Sequence, residues 1–199
     1  MKDNIIKSSQ ELFLHFGYSK VTTGDIAEKA GISKKTLYNY FSSKEELMDE
    51  VVEHLLSNLR TELEQLLMKE IEFNSKLKEV VNVVSQTLAK LNNHFLEDIR
   101  RKLPKTWFNL VYHKDEIVKR YFGKLIDEGM ASGYVRKDVN KDIALLMMII
   151  SIEYLFDPSF LKNLPRDVFP KVPNTARETF NMILNIMYNG ILTKEIRTI

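Results

Sequence analysis

Apolar residues near the start of the chain recur at steps of three and four. Ile5, Ile6, Leu12, Phe13 and Phe16, with the small Ser9 among them, line one side of a helix over Asn4–Phe16 that Gly17 ends. Two shorter elements follow. Thr22 or Thr23 caps the first, Asp25 sits in its opening turn, Ile26 and Ala27 face inward, and Gly31 supplies the left-handed residue that ends it. Ser33 then caps a second helix, Lys34–Tyr40. Helices this short bury too little surface alone, so the pattern predicts a helix-turn-helix framed by the first helix. Phe13 and Phe16 are expected to pack under Ile26, Leu37 and Phe41.

A capping box from Ser43 to Glu46 opens a long helix. Its apolar residues at 47, 51, 55, 59, 63 and 67 follow in steps of four. Each step overshoots a turn by about 40°, so five steps swing the stripe by roughly 200°. The helix therefore faces one core at its start and another at its end, which makes it a mechanical link. The expected domains are residues 1–46 and 47–199.

Beyond a weak break near Asn74-Ser75, one long helix is predicted over Lys76–Ile99. A short helix from Pro104 carries Trp107, Phe108 and Tyr112, and another spans Asp115–Met130, with Gly129 and Gly133 breaking the chain. The run Ile143–Ile150 is apolar without interruption, which predicts a helix buried on all sides by its own core and a partner subunit. It is too short to span a bilayer. Four prolines mark Asp157–Pro173 as irregular, and a last amphipathic helix is expected over Asn174–Leu192. The whole is all-α.

Composition changes the picture little. The chain of 199 residues is 44% hydrophobic and 28% charged, enough for a sizeable core. Its net charge of +2 does not announce a nucleic-acid binder, and residues 1–54 hold seven Lys, three Asp and six Glu, a net −2. Affinity for a polyanion must come from local clustering. One cluster fits. Lys34 and Lys35 occupy the first turn of a helix, where its dipole disfavours cations by about 0.3–1 kcal/mol each, and no acidic residue lies between Lys29 and Lys44. A bound polyanion would offset that cost. The basic run Arg100-Arg101-Lys102 sits at a helix C-terminus, where the dipole suffices to explain it.

The absence of Cys excludes disulfides and thiolate chemistry and fits a reducing cytoplasm, and the polar N-terminus predicts no signal peptide. The four His residues have no ligand spacing, so neither metal nor cofactor is expected. Adjacent carboxylates at Asp115-Glu116 and Asp127-Glu128 point apart on a helix, and nothing supports catalysis.

The segments Phe16-Gly17-Tyr18, Thr22-Thr23-Gly24-Asp25-Ile26-Ala27, Ala30-Gly31-Ile32-Ser33, Thr36-Leu37-Tyr38-Asn39-Tyr40-Phe41 and Ser43-Lys44-Glu45 resemble, in order and spacing, the DNA-binding domain of the tetracycline-repressor (TetR) family. The likeness covers about the first quarter of the chain. It implies a homodimeric regulator that binds a double-stranded DNA operator. Thr23, Tyr38, Tyr40 and Lys44 would hold phosphates, and Lys34, Lys35, Thr36 and Asn39 are the candidates for base edges, with phosphate the alternative for Lys34 and Lys35. Gly24 and Ser33 complete this DNA-binding set. The resemblance also implies that the last two helices form a four-helix dimer interface, with Met148, Ile152, Phe180, Ile183, Leu184 and Met187 as the candidate contacts.

A small apolar or aromatic effector is expected in the C-terminal domain among Phe95, Trp107, Phe108, Tyr112, Tyr121, Phe122, Met147 and Tyr154. Glu153 is the acid placed to meet a cationic ligand or to pair with a nearby base. The alternative is a structural or division-control protein on the same scaffold, with a protein partner in place of a small ligand. A closed, aromatic-lined cavity would favour the effector, and an exposed apolar patch would favour the protein partner.

Overall fold

The computed structural model describes residues 1–157, 160–165, 167, 169–173 and 175–191. These residues form the helices α1 (Lys2–Phe16), α2 (Thr23–Lys29), α3 (Lys34–Tyr40), α4 (Lys44–Met68), α5 (Phe73–Lys90), α6 (Asn93–Lys102), α7 (Pro104–Ile117), α8 (Gly123–Ala131), α9 (Lys141–Phe156), α10 (Phe160–Asn163) and α11 (Ala176–Ile191). A π-helical turn, Val118–Phe122, joins α7 to α8 without a break. The chain divides into two compact units. The first comprises residues 1–58 and 90–112, the second residues 59–89 and 113–199. The first unit thus includes α6 and the start of α7, stretches that the sequence assigns to the C-terminal domain.

In the first unit, α1 packs on α2 and α6. Ile5, Phe13, Ile26, Leu37, Phe41, Leu47, Met48, Val51 and Val52 are buried together with Phe95 and Ile99. Phe16 does not join them. It is 48% exposed, with its ring edge-on to His15 at 4.4 Å. Within α4 the buried positions are paired, 47/48 and 51/52, then move to Leu56, Leu63 and Leu66, while Leu55, Leu59 and Leu67 are half-buried. The drift of the stripe is real: Leu47, Val51 and Leu63 are buried as expected, while Leu56 and Leu66 are buried in place of Leu55 and Leu67.

Several boundaries differ from the periodicity. The expected Lys76–Ile99 helix is two, because Asn92 accepts a hydrogen bond from the Phe95 amide at 2.8 Å and caps α6. The apolar spacing 88, 91, 95, 99 runs straight through this break and conceals it. Gly129 lies inside α8 rather than ending it. Gly133 (φ 80) does take the left-handed turn that follows. Residues 158, 174 and 192, expected in the irregular segment and at the ends of the last helix, lie outside the described residues.

The second unit is built around α8, α9, α11 and the π-helical turn. Phe73, Leu77, Tyr121, Phe122, Leu125, Val135, Met148, Ile152, Phe180 and Leu184 form its core. Lys76 is buried there and donates to Glu128 at 2.7 Å. Among the described residues no helix is long and apolar enough to cross a membrane.

Candidate nucleic-acid interface and cavities

The helix-turn-helix is set by caps. Thr22 and Asp25 bond reciprocally: the Asp25 amide donates to the Thr22 hydroxyl at 3.2 Å, and the Thr22 amide to the Asp25 carboxylate at 2.8 Å. These Thr22 bonds, aided by nearby Lys34 and Lys44, hold the Asp25 carboxyl below its usual range. Gly31 takes φ 69, which closes the turn, and the Ile32 amide reaches back to Ala27 O at 2.9 Å. Ser33 Oγ then accepts from the Thr36 amide at 3.0 Å and starts α3. Leu37 and Phe41 anchor the inner face of α3, so Lys34, Lys35, Tyr38, Asn39 and Tyr40 remain exposed.

The side chains on this surface are not equivalent. The Thr23 and Tyr38 hydroxyls meet at 3.3 Å, bringing two expected phosphate ligands together. The stem of Lys34 crosses Gly24 so closely that a Cβ at Gly24 would lie 2.9 Å from Lys34 Cε. Its ammonium therefore sits beside Gly24 in the first turn of α2. The Thr36 hydroxyl pairs with that of Ser33 at 2.9 Å. Lys35 and Asn39 are one helical turn apart on the exposed surface.

Lys44, expected at a phosphate, is turned inward. Its ammonium donates to Tyr18 O at 2.7 Å and Val21 O at 2.8 Å, and lies 4.0 Å from the centre of the Tyr18 ring. Two of its three N–H groups are thus committed to the loop between α1 and α2. Desolvation lowers its pKa, although Asp98 opposes the shift. Glu46 also departs from the expected box. Ser43 caps its amide at 3.0 Å, but the Glu46 carboxylate accepts from the Ser42 amide at 2.6 Å.

Residues to which the sequence gives no such role brace the same loop from α6. Asp98 accepts from the Ser19 amide at 2.6 Å and from its hydroxyl at 2.5 Å. Lys102 donates to the Ser19 hydroxyl, and Asn92 Nδ2 donates to Leu14 O at the end of α1. Asn92 was findable, since Asn before an apolar run is a helix-start signal. Asp98 carries no such local mark.

The nine expected effector residues are divided between the two units. Phe95, Trp107, Phe108 and Tyr112 belong to the first unit, and Tyr121, Phe122, Met147, Glu153 and Tyr154 to the second. Phe95 is core. Trp107 is half-buried, with the Arg100 guanidinium 5.8 Å from its ring centre. Phe108 and Tyr112 are exposed and stack on each other, with ring centres 6.4 Å apart. Tyr121 is buried and donates to Glu64 at 3.0 Å. Met147 and Tyr154 are exposed, and Glu153 pairs with the buried Lys114.

Of the nine, Phe122 lines an apolar cavity in the second unit, with Phe73, Leu125, Met148, Met187 and Tyr188 among its other walls. Its volume of about 30 Å³ is room for one water. Roomier space opens in a groove of about 300 Å³ between α5 and α11, and in another of about 450 Å³ flanked by Arg60, Lys119, Arg120 and Lys124.

The expected interface residues need correction. Met148, Ile152, Phe180, Leu184 and Met187 are buried within the single chain, and Ile183 is half-buried. They face the chain's own core. The apolar residues left exposed are Ile143, Leu146, Met147, Ile150 and Tyr154 on α9, with Met182 and Ile186 on α11. Their spacing of three and four forms a stripe on α9. A helix apolar all round has no period from which to tell these faces apart.

Fold and surface together define a helix-turn-helix DNA-binding transcriptional regulator. Residues 5–51 match the family model "Bacterial regulatory proteins, tetR family". The HTH-type transcriptional regulator YvaF of Bacillus subtilis is 27% identical over 98% of this chain and 97% of its own length. The HTH-type transcriptional repressor KstR2 of Mycobacterium tuberculosis is 22% identical over 98% of this chain and 94% of its own. Among solved structures, a transcriptional regulator of the TetR/AcrR family from Thermobifida fusca superposes with a TM-score of 0.65 at 20% identity, covering 95% of this chain and 97% of that one. Over residues 5–51 the chain is thus similar to the tetR family of bacterial regulatory proteins.

Proposed function

We propose that the chain is a ligand-responsive repressor that binds a palindromic operator as a homodimer, in the cytoplasm where that DNA lies. The observation that carries this reading is α3. Its exposed Lys34, Lys35, Tyr38, Asn39 and Tyr40 lie in a stretch with no acidic residue between Lys29 and Lys44. Lys35 and Asn39 reach base edges, while Thr23, Lys34, Tyr38 and Tyr40 hold phosphates and set register. Lys44 acts first as a brace for the loop after α1. The apolar stripe on α9, with Met182 and Ile186 of α11, suits a second copy of the chain, and this supports the homodimer over a foreign protein partner. The relatives named as repressors support the sign of regulation.

Selection of bound sequences from a random duplex pool tests the reading. It is expected to enrich a palindrome with half-sites about 34–36 Å apart, bound by two chains. Failure to enrich any sequence, or stable binding of one chain to a single half-site, would overturn it.

A further inference from the structure

We propose that the groove between α5 and α11 binds a small amphipathic anion, drawn by the positive charge of Lys78 and Arg177. This assigns a site and a ligand class to the effector role, and its regulatory consequence rests on the reading above.

The groove offers about 300 Å³, at the lower end of small-molecule sites. Leu77, Val81 and Leu184 make its walls apolar, and two cations, Lys78 and Arg177, line it. Among the described residues no carboxylate lines the groove, and neither cation has an ion-pair partner. An anion gains from both, while a cation would meet like charge with nothing to neutralise it. The expectation of a cationic effector therefore does not fit this site. Glu153, the acid it invoked, is outside the groove and already paired with Lys114.

Tyr188 adds an independent observation. Its hydroxyl is shielded from solvent and has no hydrogen-bond partner among the described residues. Burial pushes the phenol up, so it stays protonated and remains a donor in need of an acceptor. Tyr188 and Leu77 also belong to the wall of the adjoining apolar cavity, whose other sides include Phe122 and Met187, so the apolar end of a ligand has a direction to point. The groove is pre-built at one position, where Ser85 donates to Asn181 at 2.6 Å across α5 and α11.

Three probes of equal chain length separate charge from greasiness: decanoate, decanol and decyltrimethylammonium, titrated calorimetrically against the full chain below their micelle concentrations. Decanoate is expected to bind about tenfold or more tightly than the other two. The Lys78→Glu/Arg177→Glu variant is expected to lose that preference and to favour the cation. Equal binding of decanoate and the cationic probe, or unchanged decanoate binding by the double variant, would overturn the site. Operator affinity measured in parallel tells the two ideas apart. Decanoate that needs Lys78 and Arg177 yet leaves operator affinity unchanged keeps the groove and overturns the effector reading. Decanoate that releases DNA from the double variant as well as from the wild type overturns the groove and keeps the regulator.

Discussion

Asp98 of α6 holds Ser19 by both its amide, at 2.6 Å, and its hydroxyl, at 2.5 Å, and so fixes the loop from which α2 starts. Burial pushes the Asp98 carboxyl up. The two Ser19 bonds, with Lys102 and Lys44, outweigh burial and hold it below its ordinary range. A carboxyl depressed in the folded state contributes stability above its unfolded pKa of about 4, and that contribution is lost as pH falls through the folded value. Asp98→Asn is expected to cost about 1–2 kcal/mol at neutral pH, with the difference from wild type shrinking on acidification below about pH 4. Urea unfolding at two pH values measures it. A loss that persists undiminished in acid would show that geometry, not charge, makes the contact.

The lysines at the DNA surface should separate by what they touch. Lys35→Ala is expected to weaken operator binding more than random-DNA binding. Lys34→Ala should weaken both alike and reduce the salt dependence by about 0.9 in slope, because its ammonium sits at the first turn of α2. Lys44→Ala should lower thermal stability as well as affinity, since it removes donors to Tyr18 O and Val21 O. A Lys44→Ala protein with unchanged melting temperature and a shallower salt slope would return Lys44 to the phosphate class.

The exposed stripe gives a test of assembly with its own control. Met147 is 54% and Ile186 72% exposed in the single chain, whereas Met148 is 5% exposed. Met147→Glu and Ile186→Glu are expected to fold normally but to sediment as monomers, because a two-fold interface receives each carboxylate twice. Operator affinity should fall with the dimer. Met148→Glu is expected to destabilise the fold by several kcal/mol, since it buries an unpaired charge. Met147→Glu and Ile186→Glu proteins that remain dimers would remove this stripe from the interface.

The parts of the fold legible in the sequence are those set by local chemistry. Thr22 and Ser33 announce their turns through side chains that bond within three residues, and Gly31 through the positive φ that glycine adopts freely; the structure keeps all three. What failed was whatever depended on partners distant in sequence. Phe16 continues the period of α1 yet is exposed in the last turn of that helix. Lys44 reads as a surface cation until the carbonyls of residues 18 and 21 come within reach of it. Asp98 is an ordinary helix acid until Ser19, far back in the chain, closes on it. On α9 no polar residue marks a face over Ile143–Ile150, so the covered and open sides were exchanged.

Gly129 supplies the sharpest case, because a glycine read as a break is a packing position. It lies within α8, where a Cβ would fall 2.5 Å from Val135 Cγ2 and 2.7 Å from Phe73 Cζ. Neither neighbour is free to retreat. Phe73 and Val135 are both buried, and the Phe73 ring stacks on Tyr134 with centres 5.1 Å apart. Gly129→Ala is expected to cost about 1–3 kcal/mol from overpacking, against up to about 1 kcal/mol returned by the better helix propensity of Ala. Gly190, in α11, is the control. A Cβ there meets nothing within 4 Å, so Gly190→Ala should be neutral or stabilising by up to about 1 kcal/mol. In a Val135→Ala background the cost of Gly129→Ala should fall, since its nearest obstacle is gone, and the coupling appears in a double-mutant cycle. A Gly129→Ala protein as stable as wild type to urea would mean that α8 and α5 pack with slack at this position.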